Sequence, residues 1–199
     1  GSDISTILKC TSQHFTDIQV NNLLNNDYIS PSTHFDLNGS QIEGDLSKMM
    51  SIDFKTYMVD DILTKVDRAT MSVSLEGREP LLDYRLVEFV AQLPCHLKIK
   101  NGNKKLLIKN IVHKYLPEEM MDRPKKGFGM PVGKWLKSDL KPRILEYVNE
   151  EKLKEHDLLD VKEVIRIRDR VLNGEKESAV KLWYILIFQM WYQRWMYIQ

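Results

Sequence analysis

The chain has 199 residues, with 29 basic against 28 acidic side chains and a formal net charge of +1, so nothing drives it globally toward nucleic acid or an acidic membrane surface. A hydrophobic fraction of 43% and a charged fraction of 29% exclude a disordered chain, and the length suffices to bury a core. Cys10 and Cys95 cannot make a disulfide framework and fit a reducing, cytoplasmic compartment; the five scattered histidines offer no pair at helical zinc spacing, so no metal site is expected.

Gly1 and Ser2 read as a cloning scar, and the residues after them lack the long apolar core of a signal peptide. Ile4, Ile7 and Leu8 predict a short helix, and Ile18, Val20, Leu23 and Leu24 a second that ends at Asn25 and Asn26. Ser30 to Ser47 is rich in Ser, Asn, Gly and Asp and reads as a polar connection, so residues 3–47 form an N-terminal helical and connecting segment. Helix resumes near Leu46, and Met49, Met50, Ile52, Phe54 and Tyr57 carry it into a charged stretch from Asp60 to Asp83.

At 100° per residue, Val59, Ile62, Leu63, Val66, Thr70 and Val73 gather on one side of this stretch, Asp61, Lys65 and Arg68 on another, and Asp60 and Asp67 on an acidic flank. By periodicity alone, the favoured reading is the solvated face of an ordinary surface helix, with an acid at i and a base at i+4. Pro80 predicts a break at Glu79, and Asp83 starts a helix through Leu86, Val87, Phe89, Val90 and Leu93. Leu106, Leu107, Ile108, Ile111, Val112 and Tyr115 give another, ended by Pro117, with turn chemistry as far as Pro131.

Val132, Trp135, Leu136, Ile144, Leu145 and Val148 continue the helical pattern. Val161, Val164, Ile165, Ile167, Val171 and Leu172 predict a helix closed by Asn173 and a left-handed Gly174. Leu182 to Ile198, with Trp183, Phe188, Trp191 and Trp195, is apolar nearly all round, but Gln189, Gln193 and Arg194 interrupt it and it falls short of the roughly 20 residues of a membrane span, so a buried or interface helix is expected. No run shows sustained strand alternation, and the chain reads as all-α.

Residue identity adds what periodicity lacks. Asp61, Ile62, Leu63, Lys65, Asp67 and Arg68, followed by Ser74, Leu75, Glu76, Arg78, Pro80, Leu82 and Asp83, resemble the signature of the synthetase domain of glutamine-hydrolysing asparagine synthetases. Lys104 to Lys109 resemble the basic helix that follows it in the family. Leu116 and Pro117, then Arg123, Pro124, Lys125, Lys126, Gly127, Phe128, Gly129, Met130, Pro131 and Trp135, resemble its basic glycine loop. The likeness is strong over residues 48–140; residues 1–47 and 150–199 match by position and helical character.

The family's Ser-Gly-Gly-x-Asp-Ser nucleotide loop, its Ser-Gly-Glu-Gly-x-Asp-Glu segment and its glutaminase domain with leading cysteine do not occur here. The resemblance therefore implies that residues 48–199 are the helical C-terminal portion of an α/β adenine-nucleotide α-hydrolase-like (ATP pyrophosphatase) synthetase domain whose nucleotide-binding sheet lies outside this chain. The implied reaction joins aspartate to ATP as a β-aspartyl adenylate, releases pyrophosphate, and lets ammonia displace AMP. Magnesium-ATP is then a substrate of the parent enzyme, and no cofactor is expected to be held tightly by this chain.

Two anions must meet in that reaction, so fixed cations belong near the α-phosphate. The resemblance gives this place to Lys125, with Lys126 and Gly127 beside it in the loop. It gives Glu76 the task of ordering the pocket, or, as in the β-lactam-forming branch, of helping to deprotonate the nucleophile. The competing reading of Glu76 and Arg78 is a buried ion pair that fixes the turn before Pro80. Asp67 and Arg68 are expected to support substrate or pyrophosphate, or to brace neighbouring elements, and Lys105 to face a phosphate or solvent. Val59 and Glu79 depart from the family, which often has proline and an apolar residue there.

The implied partners are the missing glutaminase and nucleotide-binding portions, aspartate, ATP and ammonia from glutamine, with no nucleic acid and no membrane; a homodimer is left open. Two other functions remain open at this point: a related carboxylate-adenylating amidotransferase or cyclase, and a non-catalytic helical interaction module. A nucleic-acid module is disfavoured, because Lys162, Arg166, Arg168 and Arg170 spread around their helix and Glu163 and Asp169 offset them.

Overall fold

The structure is a computed structural model that describes residues 3–26, 35, 37, 40–122 and 129–196. Its elements are α1 (Ile4–Ser12), α2 (Asp17–Leu23), α3 (Asp45–Lys55), a π-helix (Tyr57–Leu63), α4 (Thr64–Met71), a 3-10 turn (Pro80–Leu82), α5 (Tyr84–Gln92) and α6 (Cys95–Lys98). A two-residue hairpin follows, β1 (Ile99–Lys100) and β2 (Asn103–Lys104), then α7 (Leu106–Val112) and α8 (Glu118–Met121). The remainder is α9 (Val132–Lys137), α10 (Lys141–Tyr147), α11 (Glu150–Lys154), α12 (Val161–Leu172) and α13 (Ala179–Trp195). The mostly helical reading holds, with the small antiparallel hairpin as an addition. Asn101 and Gly102, at φ 50° and 78°, make its turn, a local signal in the sequence that strand alternation over two residues is too short to display.

The chain divides into two compact units, one of residues 1–11 and 32–126, the other of residues 12–31 and 127–199. The second unit has a well-formed core. Leu136, Ile144, Val148, Leu153, Val164, Val171 and Leu182 are fully buried there, and α13 packs against α9, α10 and α12. Asp160 caps α12 by accepting from the Glu163 N–H at 2.7 Å, and Gly174, at φ 114°, closes it as the sequence predicts. Thr16 and Gln19 form a capping box at the start of α2, and the Asp160 N–H donates to the Leu23 carbonyl at 2.8 Å, tying α2 to the entry of α12.

Helix α13 is double-faced, as the apolar sequence around it requires. Leu182, Ile185, Leu186 and Gln189 are buried, while Tyr184, Ile187, Trp191 and Trp195 are exposed. Gln189 meets His156 Nε2 at 2.8 Å, and His156 Nδ1 accepts from the Leu158 N–H, so the one buried amide of this helix is satisfied. Among the described residues no helix is long and apolar enough to cross a membrane.

The first unit is built differently, for among its described residues Ile52 is the one large hydrophobic that is buried. Helix α3 runs into the π-helix at Thr56, which leaves helical geometry (φ −120°, ψ −87°) while its hydroxyl donates to the Ile52 carbonyl at 2.7 Å. Thr64 Oγ1 then donates to the Val59 carbonyl at 2.9 Å, five residues back, and α geometry resumes. The wider i→i+5 winding overturns the 100° placement across Tyr57–Leu63, and both ends of the predicted apolar side, Val59 and Val73, are exposed.

Candidate functional site

The charged stretch is presented by two local devices. The first is the end of α4, where the Ser74 and Leu75 N–H groups return to the Met71 and Thr70 carbonyls, each at 3.0 Å, with Ser74 at φ 60°. A serine thus holds a left-handed cap that usually goes to glycine, and the chain leaves the helix sharply. The second is the Pro80–Leu82 turn, entered from an extended Glu79 (φ −105°, ψ 86°) and followed by Asp83, whose carboxylate accepts from the Arg85 N–H at 3.0 Å and caps α5. The break before Pro80 and the Asp83 start both follow the sequence reading.

Between the two devices, residues 75–79 are exposed. Glu76 and Arg78 meet at 2.8 Å, with 65% and 81% of their side-chain surfaces exposed, so the competing reading of a buried ion pair is corrected to an open one. Gly77 and Glu79, with Asp67, Leu63, Val66 and Leu82, line a cleft of about 320 Å³. An exposed pair contributes little to stability, which leaves Glu76 and Arg78 available to a ligand.

Other charges of this region are uncommitted. The side chains of Asp67, Arg68, Glu79 and Lys105 make no hydrogen bond or ion pair with the described residues, whereas Lys65 is paired with Asp61 at 3.5 Å. The bracing alternative for Asp67 and Arg68 has no contact to support it. Lys105 stands at φ 61° immediately before α7, a left-handed conformation that lysine rarely adopts. Strain of this kind concentrates at functional positions, although here it is joined by no contact of the side chain.

The residues beside the basic loop carry a cluster that the sequence reading passed over. Lys109 binds Asp122 at 2.8 Å, and His113 lies between two carboxylates, with Nδ1 at 3.5 Å from Glu118 and Nε2 at 3.5 Å from Asp122. His113 Nε2 is buried without a hydrogen bond. The Lys109 ammonium holds the Asp122 carboxyl below the usual carboxylate range, with His113 adding to the same direction. Lys109 and His113 stand one helical turn apart, which was the available signal; their acidic partners come from α8 and the residue after it, beyond reach of a helical wheel. Lys125, Lys126 and Gly127 lie outside the described residues.

Elsewhere the arginines of α12 are engaged. Arg166 pairs with Glu163 and Arg168 with Asp169, each at 2.8 Å, and Arg170 pairs with Glu175. These pairs leave no free arginine stripe for a nucleic-acid backbone. Among the described residues no group of three or more His, Cys, Asp or Glu side chains is placed to hold a metal ion.

The family model described as asparagine synthase matches residues 8–193. Asparagine synthetase (glutamine-hydrolyzing) 1 of Bacillus subtilis (strain 168) is 32% identical over 148 residues, which cover 74% of this chain and 23% of that protein. Asparagine synthetase (glutamine-hydrolyzing) 3 of the same organism is 28% identical over 138 residues, or 64% of this chain and 20% of the relative. The Gallus gallus asparagine synthetase (glutamine-hydrolyzing) is 38% identical over 77 residues, 37% of this chain and 14% of the relative. The chain thus spans about a quarter or less of the length of these relatives. No solved structure matches it.

Proposed function

We propose that this chain, which belongs to the asparagine synthase family, supplies the helical C-terminal side of an ATP-dependent synthetase site, with residues 48–199 as that portion of the synthetase domain. The observation that carries the reading is the exposed signature segment, which offers an open Glu76–Arg78 pair beside the uncommitted Asp67 and Arg68.

In the proposed reaction the side-chain carboxylate of aspartate attacks the α-phosphorus of ATP, the P–O bond to pyrophosphate breaks, and an acyl adenylate forms. Ammonia then attacks the acyl carbon, loses a proton and displaces AMP. Negative charge grows on the α-phosphate and on the departing pyrophosphate, so Lys125 is assigned to that charge, with Lys126 and the Gly127 backbone beside it. Asp67, Arg68 and Lys105 are assigned to the substrate and phosphate environment. Glu76, oriented by Arg78 at 2.8 Å, orders the pocket near the amine nucleophile. Magnesium arrives on the nucleotide, whose phosphates supply its ligands. The nucleotide-gripping loop and the glutaminase that releases ammonia belong to the remainder of the protein, so this chain alone is proposed to be inactive. Cys10 and Cys95, free and exposed, suit a cytoplasmic setting.

The test is product analysis on the full-length protein with aspartate, ATP and either glutamine or ammonia. The reading requires asparagine, AMP and pyrophosphate in equal amounts. ADP and phosphate instead, or AMP formation that ignores aspartate, would remove it; AMP formation with a different carboxylate would move it to the amidotransferase or cyclase branch.

A further inference from the structure

Lys105 stands in a conformation that its own side chain disfavours. At φ 61° it lies between β2, whose Lys104 pairs with Ile99, and the first turn of α7. A left-handed lysine persists where the chain on both sides holds it there. The hairpin holds one side. On the other, the Lys105 carbonyl accepts from the Lys109 N–H at 3.0 Å, while the Lys109 ammonium binds Asp122 Oδ1, in the residue after α8, at 2.8 Å. Lys109 thus grips Lys105 through its backbone and Asp122 through its side chain, all within the first unit. The Lys109 and Asp122 side chains are 35% and 41% exposed, too open for their attraction to contribute much to the stability of the fold. His113 Nε2 lies 3.5 Å from the same Asp122 oxygen, buried and without a hydrogen bond. An unpaired buried nitrogen is destabilising, so the carboxylate is kept on Lys109 at the expense of His113.

We propose that Lys109 and Asp122 are positioning residues for Lys105. Their ion pair fixes the first turn of α7, which keeps Lys105 left-handed and its uncommitted ammonium in place for a phosphate group. This rests on the proposed function, which assigns Lys105 to the phosphate environment. Neither positioning residue touches substrate, since the Lys109 ammonium is engaged by Asp122 and Asp122 is itself an anion. With the pair broken, the first turn of α7 is free to relax, Lys105 moves toward the negative φ ordinary for lysine, and its ammonium leaves the phosphate.

Inorganic pyrophosphate with magnesium is titrated into the full-length protein by calorimetry, and aspartate-dependent pyrophosphate release is measured on the same samples. Asp122→Asn and Lys109→Met are each expected to weaken pyrophosphate binding, and to lower kcat/KM for ATP, by about ten-fold or more. Lys109→Arg, which keeps a cation on Asp122, should hold both within about three-fold of the parent. In a Lys105→Ala background, Asp122→Asn should add less than about two-fold, because the residue it positions is gone. The far-ultraviolet circular dichroism melts of these variants should match that of the parent. A parent that binds no pyrophosphate, binding unchanged by Asp122→Asn, an equal loss with and without Lys105, or a loss that comes with an earlier melt overturns the proposal. Pyrophosphate binding that depends on Lys105, Lys109 and Asp122 in a protein that makes no asparagine would count against the proposed function alone; asparagine formation that Asp122→Asn leaves at the parent rate would count against the positioning alone.

Discussion

Leu182→Ala probes whether the second unit is stabilised by its own core. Leu182 is 0% exposed, in the cluster where α13 meets α9, α10 and α12. Truncation removes three carbon atoms, about 2.4 kcal/mol of transfer free energy at about 0.8 per methylene, and the cavity left behind raises the loss to about 3–4 kcal/mol. At about 4–8 °C per kcal/mol for a unit of this size, the melting temperature should fall by about 12–30 °C. All four tryptophans, Trp135, Trp183, Trp191 and Trp195, lie in this unit, so their fluorescence reports its unfolding and little else. Phe89→Ala is the matched control. Phe89 is 60% exposed in the first unit, so its truncation should cost about 1 kcal/mol or less and leave the tryptophan transition in place. Equal shifts from the two variants, or a Leu182→Ala transition within about 3 °C of the parent, would refute the reasoning.

Gly174→Ala should lower the same transition by about 1 kcal/mol, because φ 114° is closed to alanine although no atom lies within 4 Å of the added Cβ; an unchanged melt would show that the cap relaxes freely. The Glu175 carboxyl is held below its usual range, first by the Ser178 hydroxyl and also by Arg170. A depressed carboxylate adds stability that is present above its unfolded value of about 4 and is lost as pH falls through the folded value. The tryptophan melt should therefore drop below about pH 4, and Glu175→Gln should flatten that drop; an identical acid limb in the variant would contradict this. Glu76→Gln should leave the far-ultraviolet circular dichroism melt, which reports the helices of both units, within about 0.5 kcal/mol, since its pair with Arg78 is open to solvent, while reducing aspartate-dependent turnover of the full-length protein; loss of stability instead would make the pair structural.

The helix boundaries most legible in the sequence were those fixed by a single residue acting locally. Gly174 closes α12, Asp83 opens α5 and Pro80 breaks the chain before it, because each acts through its own φ or side chain. The π-helix was hidden, since a wheel drawn at 100° assumes the winding that Thr56 and Thr64 alter by bonding to backbone carbonyls. Periodicity likewise failed to tell site from solvated face over Asp60–Asp83; residue identity pointed instead to the family, which the family match bears out. The exposure of the Glu76–Arg78 pair was not readable, because a charge pair two residues apart looks the same buried or open. The cluster of Lys109, His113, Glu118 and Asp122 joins α7 to residues that a single helical period does not connect.

The assignment of Lys125 to the developing charge is tested most directly by aspartate-dependent pyrophosphate release from the full-length protein. Lys125→Ala is expected to reduce that release by about 10²–10³-fold, the usual loss of one preorganised charge stabiliser, while glutamine hydrolysis continues at the parent rate. Pyrophosphate release at the parent rate in the variant would contradict the account.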